Sequence, residues 1–175
     1  MKVKVTPSKV HGNVKIPASK SMAHRALICA SLSDGTSLVS NVTNSKDIEA
    51  TVGCMKALGA IIKQIDETTY EVTGTNLFKQ EGNITCNANE SGSTLRFLIP
   101  LAACTNAKVK FLGQGRLLQR PMDVYENEFK KQNIEFNQSD KEIIVSGNLK
   151  AKDYVVQGDI SSQFITGFMF VLPLL

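Results

Sequence analysis

Apolar residues recur along this chain at two spacings, three-to-four and two, and the switches between them mark out short helices and strands. Ala23, Ala26, Leu27 and Ala30 fall on one helical face, which predicts a helix over Met22–Leu32. Lys2–Val5 and Asn13–Ile16 alternate as strands do, and Pro17 ends the second. Ser37–Ser40 reads as a strand and Lys46–Leu58 as a second helix, with Gly59 as its stop signal. Ile61–Ile65 and Thr69–Thr73 pair as a hairpin across Asp66 and Glu67. A second set follows: strand Ile84–Cys86, helix Thr94–Cys104, strand Lys108–Leu112, helix Met122–Gln132 with Pro121 in its first turn, then strands Ile134–Asn137 and Glu142–Val145. Strands and helices alternate throughout, so the fold class is mixed α/β.

The sets are copies. Arg96 follows Arg25 by 71 positions, and Ser162 follows Ser91 by 71. Leu58–Ile62 and Tyr70–Gly74 match Gln132–Phe136 and Ile143–Gly147 in pattern. A fixed period of this length marks a repeated supersecondary unit, here βαβαββ. A third copy opens at Asp159, and only its first helix precedes the apolar end Phe170–Leu175. An apolar run with no cap is an unusual finish for a domain, so the chain is expected to be part of something longer.

Each copy opens its helix with hydroxyl and basic residues. In Pro17–Arg25, Ser19 caps orphan amides, Lys20 adds a mobile charge, and Arg25 lies one turn beyond Ser21 on the same face. With the helix dipole, this is chemistry for a phosphate, set against the plainer reading of a capped surface helix. Gly92 and Ser93, followed by Arg96, open the second copy, and Ser161, Ser162 and Gln163 the third. Taken singly, Gly92 reads as a tight turn or a close backbone approach, Ser161 and Ser162 as caps, and Arg120 as a loop charge before Pro121. Arg96 and Arg116 are open between ligand contact and support of a neighbour. Asp47, Glu49 and Asp123 read as solvated or helix-start charges.

Composition narrows the classes. At 175 residues and 42% hydrophobic, the chain is long enough for a proper core. A net charge of +4 permits an anionic ligand, but the chain has no dense basic patch with interleaved aromatics and no Trp, which argues against nucleic acid. Neither a signal peptide nor an apolar run of membrane length is visible. Cys29, Cys54, Cys86 and Cys104 are widely spaced and read as buried free thiols, suited to a reducing cytoplasm. His11 and His24 have no partner at metal-ligand spacing, so no metal site is expected.

Four markers in order, Ser19-Lys20-Ser21 with Arg25, Gly92-Ser93 with Arg96, Arg116 through Arg120-Pro121, and Ser161–Phe164, resemble the N-terminal part of the 5-enolpyruvylshikimate-3-phosphate synthase family. The resemblance spans the whole chain. It implies the enolpyruvyl transferase fold, an inside-out α/β barrel with helices within and sheets outside, incomplete here. Residues 1–18 would be strands of a mostly missing second domain. Residues 19–175 would hold two repeats, about 19–75 and 84–147, and the start of a third, about 152–175. The family transfers the enolpyruvyl group of phosphoenolpyruvate to the 5-hydroxyl of shikimate 3-phosphate, in aromatic amino acid biosynthesis, with no metal or organic cofactor. By the same resemblance, Lys20 would be catalytic and touch both substrates, and Ser21 and Arg25 would hold shikimate 3-phosphate. Gly92 and Arg120 would receive phosphoenolpyruvate. Ser161 and Ser162 would grip the phosphate of shikimate 3-phosphate, and Gln163 would reach both ligands, with Ser93, Arg96 and Arg116 in support.

The physics agrees: two small polyanions placed together need Lys and Arg to neutralise them, and the Arg fork fits phosphate and carboxylate. One departure falls at Glu90-Ser91-Gly92-Ser93, where Asn-Ala-Gly-Thr is frequent; Glu90 either pairs with a nearby base or points away. The chain holds no carboxylate to nominate as the catalytic base. The resemblance places the acidic groups and the partner surface in the C-terminal half, so residues 1–175 alone are expected to be inactive. The alternatives are a UDP-N-acetylglucosamine enolpyruvyl transferase, whose first motif resembles Lys-Asn-Ala, and a non-catalytic phosphate-binding module.

Overall fold

The computed structural model describes residues 2–9, 11–14 and 16–175. Its elements are α1 (Lys20–Leu32), β1 (Thr36–Val39), α2 (Lys46–Ala57), β2 (Ile61–Gln64), β3 (Tyr70–Thr73), β4 (Glu81–Asn87), α3 (Gly92–Ala102), β5 (Asn106–Leu112), α4 (Asp123–Lys130), β6 (Glu135–Gln138), β7 (Ile143–Ser146) and α5 (Ser162–Val171). Every helix and hairpin strand expected from Met22 to Val145 is present, with ends moved by a few residues. Helix α1 starts two residues before the apolar pattern does, because the Ser19 hydroxyl accepts from the Met22 amide and admits Lys20 and Ser21 to the first turn. Strand β4 runs well beyond Ile84–Cys86 because all seven of its residues pair with β5.

Two sheets result, ordered β1-β3-β2 and β4-β5-β7-β6. The order β1-β3-β2 repeats as β5-β7-β6, antiparallel throughout, and β4 adds a parallel edge to β5. The strands expected at Lys2–Val5 and Asn13–Ile16 are not formed among the described residues; Lys15 lies outside them. Alternation alone does not make a strand, which exists by its ladder, and among the described residues of these segments none is paired to either sheet.

Helix α3 explains the layering. Leu95, Phe97, Leu98, Ile99, Pro100, Leu101 and Ala102 are all buried, covering most of its circumference, as a central helix requires. It packs against α1, α2 and α5. The sheets lie outside: Ile62, Val72, Val109, Phe111 and Val145 face inward, while Lys63–Glu71, Lys108–Glu135 and Lys110–Glu142 ion pairs lie on exposed faces. Cys54, Cys86 and Cys104 are buried, but Cys29 is exposed, and so is Ala26. The buried stripe of α1 is Ala23, His24, Leu27, Ile28, Ala30 and Ser31, rotated from the stripe the apolar residues alone define because His24 and Ser31 find buried partners. Among the described residues no helix is long and apolar enough to cross a membrane.

Candidate functional site

Among the described residues four helices begin on a capping serine, Ser45 of α2 included, and three of those starts carry candidate site residues singled out from the sequence. Ser19 serves α1, Ser91 accepts from the Thr94 amide at 3.2 Å for α3, and Ser161 accepts from the Gln163 amide at 3.3 Å for α5. Side chains near these starts link the helices. Gln163 accepts from Arg96 Nη1 at 2.8 Å and donates from Nε2 to Ser93 Oγ at 2.8 Å, which joins α5 to α3. Arg25 donates to the Ser21 carbonyl at 2.9 Å and to Thr166 Oγ1 at 3.5 Å, and its guanidinium lies 5.3 Å from the Phe97 ring centre. Lys20 Nζ meets Asp47 Oδ2 at 2.6 Å, across from α1 to α2.

Arg120 completes this cluster from the loop before α4. A Cβ added at Gly92 would fall 2.2 Å from Arg120 Nη1 and 3.9 Å from Arg96 Nη1, so both guanidinium groups approach the bare start of α3. A glycine is required for that approach. Burial first, then the nearby Arg120 charge, hold the Arg96 guanidinium below its ordinary pKa. Its Nε is buried with no hydrogen-bond partner, and among the described residues no carboxylate is paired with Arg96, Arg120 or Arg25. Two like charges brought together without a counter-charge, at a helix N-terminus, make a place where an anion relieves repulsion and satisfies donors at once.

Beneath the cluster runs a buried polar chain. His24 Nδ1 is 2.7 Å from Thr51 Oγ1, which is 2.7 Å from Thr94 Oγ1, which donates to Ser91 Oγ at 2.7 Å or to the Asp47 carbonyl at 3.3 Å. It ties α1, α2 and α3 together one turn below their starts. Burial, reinforced by Lys20 and Arg25 and opposed by Asp47, lowers the His24 pKa to about 4, so the ring is neutral at pH 7. With Nε2 buried and unpartnered, the favoured tautomer carries its proton on Nδ1 and donates to Thr51.

The residues singled out from the sequence are thus placed unequally. Arg96, Arg120, Gly92, Ser93 and Gln163 come together. Lys20, Ser21 and Arg25 gather at the start of α1, connected to the rest through Asp47, Thr94 and Thr166. Ser161 spends its hydroxyl on the cap, and Ser162 is exposed beside it. Arg116 lines a cavity of about 340 Å³ with Gln119, Arg120 and Pro121. Glu90 forms no ion pair among the described residues and leans on the loop at Gly115, where a Cβ would meet its Oε1 at 2.7 Å. Asp47 is more than a helix-start charge, since it holds Lys20. Sequence reasoning also passed over Thr51, Thr94 and Tyr125, whose hydrogen-bond partners include residues far along the chain.

The fold and these helix starts define an α/β repeat protein, helices inside and sheets outside, with basic side chains gathered where its helices begin. Comparison with known proteins says which. The family described as EPSP synthase (3-phosphoshikimate 1-carboxyvinyltransferase) matches residues 4–175, and the chain belongs to that family. A 3-phosphoshikimate 1-carboxyvinyltransferase of Clostridium kluyveri is 48% identical over 175 residues, 99% of this chain and 41% of the relative. One from Clostridioides difficile is 46% identical over 186 residues, 99% of this chain and 42% of the relative. An EPSP synthase structure from Acinetobacter baumannii superposes with a TM-score of 0.76 at 19% identity, over 91% of this chain and 38% of that one, which shows the shared fold. The chain spans about two fifths of the length of the curated relatives it matches.

Proposed function

We propose that this chain supplies part of the anion site of an enzyme that transfers the enolpyruvyl group of phosphoenolpyruvate to the 5-hydroxyl of shikimate 3-phosphate, releasing phosphate. The names of its relatives support the reaction. The single observation that carries the site is the meeting of Arg96, Arg120 and Gln163 at the bare start of α3 with no carboxylate paired to either arginine among the described residues. In this reading Arg120 and the Gly92 backbone take phosphoenolpyruvate, while Arg96 and Ser93 hold Gln163, which reaches both ligands, and Arg116 lends charge to the same wall. Lys20, Ser21 and Arg25 take shikimate 3-phosphate, with Ser161 and Ser162 on its phosphate. Asp47 keeps the Lys20 ammonium aimed at the space between the two. Residues 1–18 pair as strands in a second domain, about 19–75 and 84–147 are two repeats, and about 152–175 opens a third. The C-terminal half supplies the acid and base, and the enzyme works in the cytoplasm.

Calorimetric titration of the chain with shikimate 3-phosphate at two salt concentrations tests this. Weak binding that falls as salt rises, and falls about tenfold for Arg25→Ala with the loss of one charge-assisted contact, is expected. Binding equal in wild type and Arg25→Ala contradicts the assignment.

A further inference from the structure

Pro100 sits inside α3, four residues after Arg96. A proline has no N–H to return to the carbonyl one turn back, so the Arg96 carbonyl loses its helical partner. Tyr125, on α4, replaces it: its hydroxyl donates to the Arg96 carbonyl at 2.6 Å, with the Phe164 carbonyl of α5 at 3.2 Å as a second acceptor. Tyr125 is fully buried, edge-on to Phe164 and Phe168. Gly167 lets α5 close over this bond, since a Cβ there would fall 2.2 Å from the hydroxyl and 2.8 Å from the Arg96 oxygen.

One proton therefore joins the three elements that carry the anion cluster. The hydroxyl belongs to the helix that follows Arg120, its first acceptor is the backbone of Arg96, and its second is the residue after Gln163. We propose that Tyr125 is a positioning residue: it sets Arg96 and Gln163 against Arg120 by making the hydrogen bond that Pro100 denies to α3. The proposal rests on the anion reading of that cluster for its functional consequence, while its physical core, the bond exchanged between Pro100 and Tyr125, is separable from it.

The test uses Tyr125→Phe, Pro100→Ala and the double variant in the 175-residue chain. Two readouts are followed: hydrogen exchange at the Arg96 and Arg120 Nε–H groups by NMR, and affinity for phosphoenolpyruvate. Tyr125→Phe is expected to speed exchange at Arg96 and weaken phosphoenolpyruvate binding by about five- to tenfold each, the worth of one hydrogen bond, with Arg120 exchange unchanged. Adding Pro100→Ala returns an N–H to the Arg96 carbonyl and is expected to restore both. Where Tyr125→Phe alone is too unstable to measure, Pro100→Ala and the double variant are compared, and equal Arg96 exchange in the two is expected. Unchanged Arg96 exchange in Tyr125→Phe, equal acceleration at Arg120, or a double variant no better than Tyr125→Phe overturns the proposal. If Arg96 exchange responds and recovers while wild type binds no phosphoenolpyruvate, the positioning bond stands and the anion reading falls.

Discussion

Replacing Gly92 with alanine probes the site with little disturbance to the fold. The residue is the first of α3, its backbone is helical rather than left-handed, and alanine is a good helix former there. The added methyl meets no backbone, only side-chain ends: it falls 2.2 Å from Arg120 Nη1 and 3.4 Å from its Cζ, with Arg96 Nη1 at an ordinary 3.9 Å. A carbon and a nitrogen need well over 3 Å, roughly, so the guanidinium must withdraw by about 1 Å or more. That exceeds the tolerance of a hydrogen bond to a fixed anion oxygen. Losing one charge-assisted contact costs about 1.5–3 kcal/mol, which is roughly a ten- to hundredfold loss of affinity. Because Arg120 yields by rotamer change, the thermal midpoint is expected to stay within a degree or two of wild type, roughly. Calorimetry with phosphoenolpyruvate beside a thermal melt measures both. Wild-type affinity in Gly92→Ala would show that Arg120 does not hold the ligand at this place; a collapsed melt would show that Gly92 serves the fold instead.

Other expectations concern the polar chain and the lysine. The folded pKa of His24, about 4, lies below its unfolded value of 6.5. Between those values the unfolded chain takes up a proton that the folded one refuses, so acidification through this window removes on the order of 3 kcal/mol of stability. Urea melts at stepped pH should show that loss in wild type and a flatter profile in His24→Gln; identical profiles would remove His24 from the account. Asp47→Asn releases Lys20 from a pair that is about half exposed on the lysine side, so stability should change by under about 1 kcal/mol. Shikimate 3-phosphate affinity should nevertheless change, because the ammonium loses its anchor, and an unchanged titration would argue that Asp47 has no part in aiming Lys20. Thr51→Val keeps the shape but breaks the chain between His24 and Thr94; it should cost about 1–3 kcal/mol in a urea melt, and no cost would mean the chain is idle.

How much of this was legible from the letters differs by element. The repeat was readable because Arg25 and Arg96 recur at a fixed spacing, and the helices because Ser19, Gly59 and Pro121 punctuate them where local physics demands. Local signals failed where a partner decides. Lys2–Val5 alternates like a strand but among the described residues is paired to neither sheet, and Cys29 sits among apolar letters but on the outer side of α1. In the site, Arg120 and Gly92 were visible as types, but their approach depends on the loop before α4 folding back onto α3. Asp47 looked like an ordinary helix-start acid because its lysine is 27 residues away. Tyr125 and Pro100 looked unconnected for a similar reason. A proline inside a predicted helix does leave a signal, an orphaned carbonyl four residues earlier, and asking what satisfies it points to a buried hydroxyl even before the fold is known.

The most direct test of the central claim is an NMR titration with inorganic phosphate, following the backbone amides of Gly92 and Ser93 together with the Nε–H signals of Arg96 and Arg120. The account predicts that these four move together along one saturating curve, with Arg120→Ala abolishing it. Movement confined to exposed lysines, without saturation and indifferent to Arg120, would contradict it.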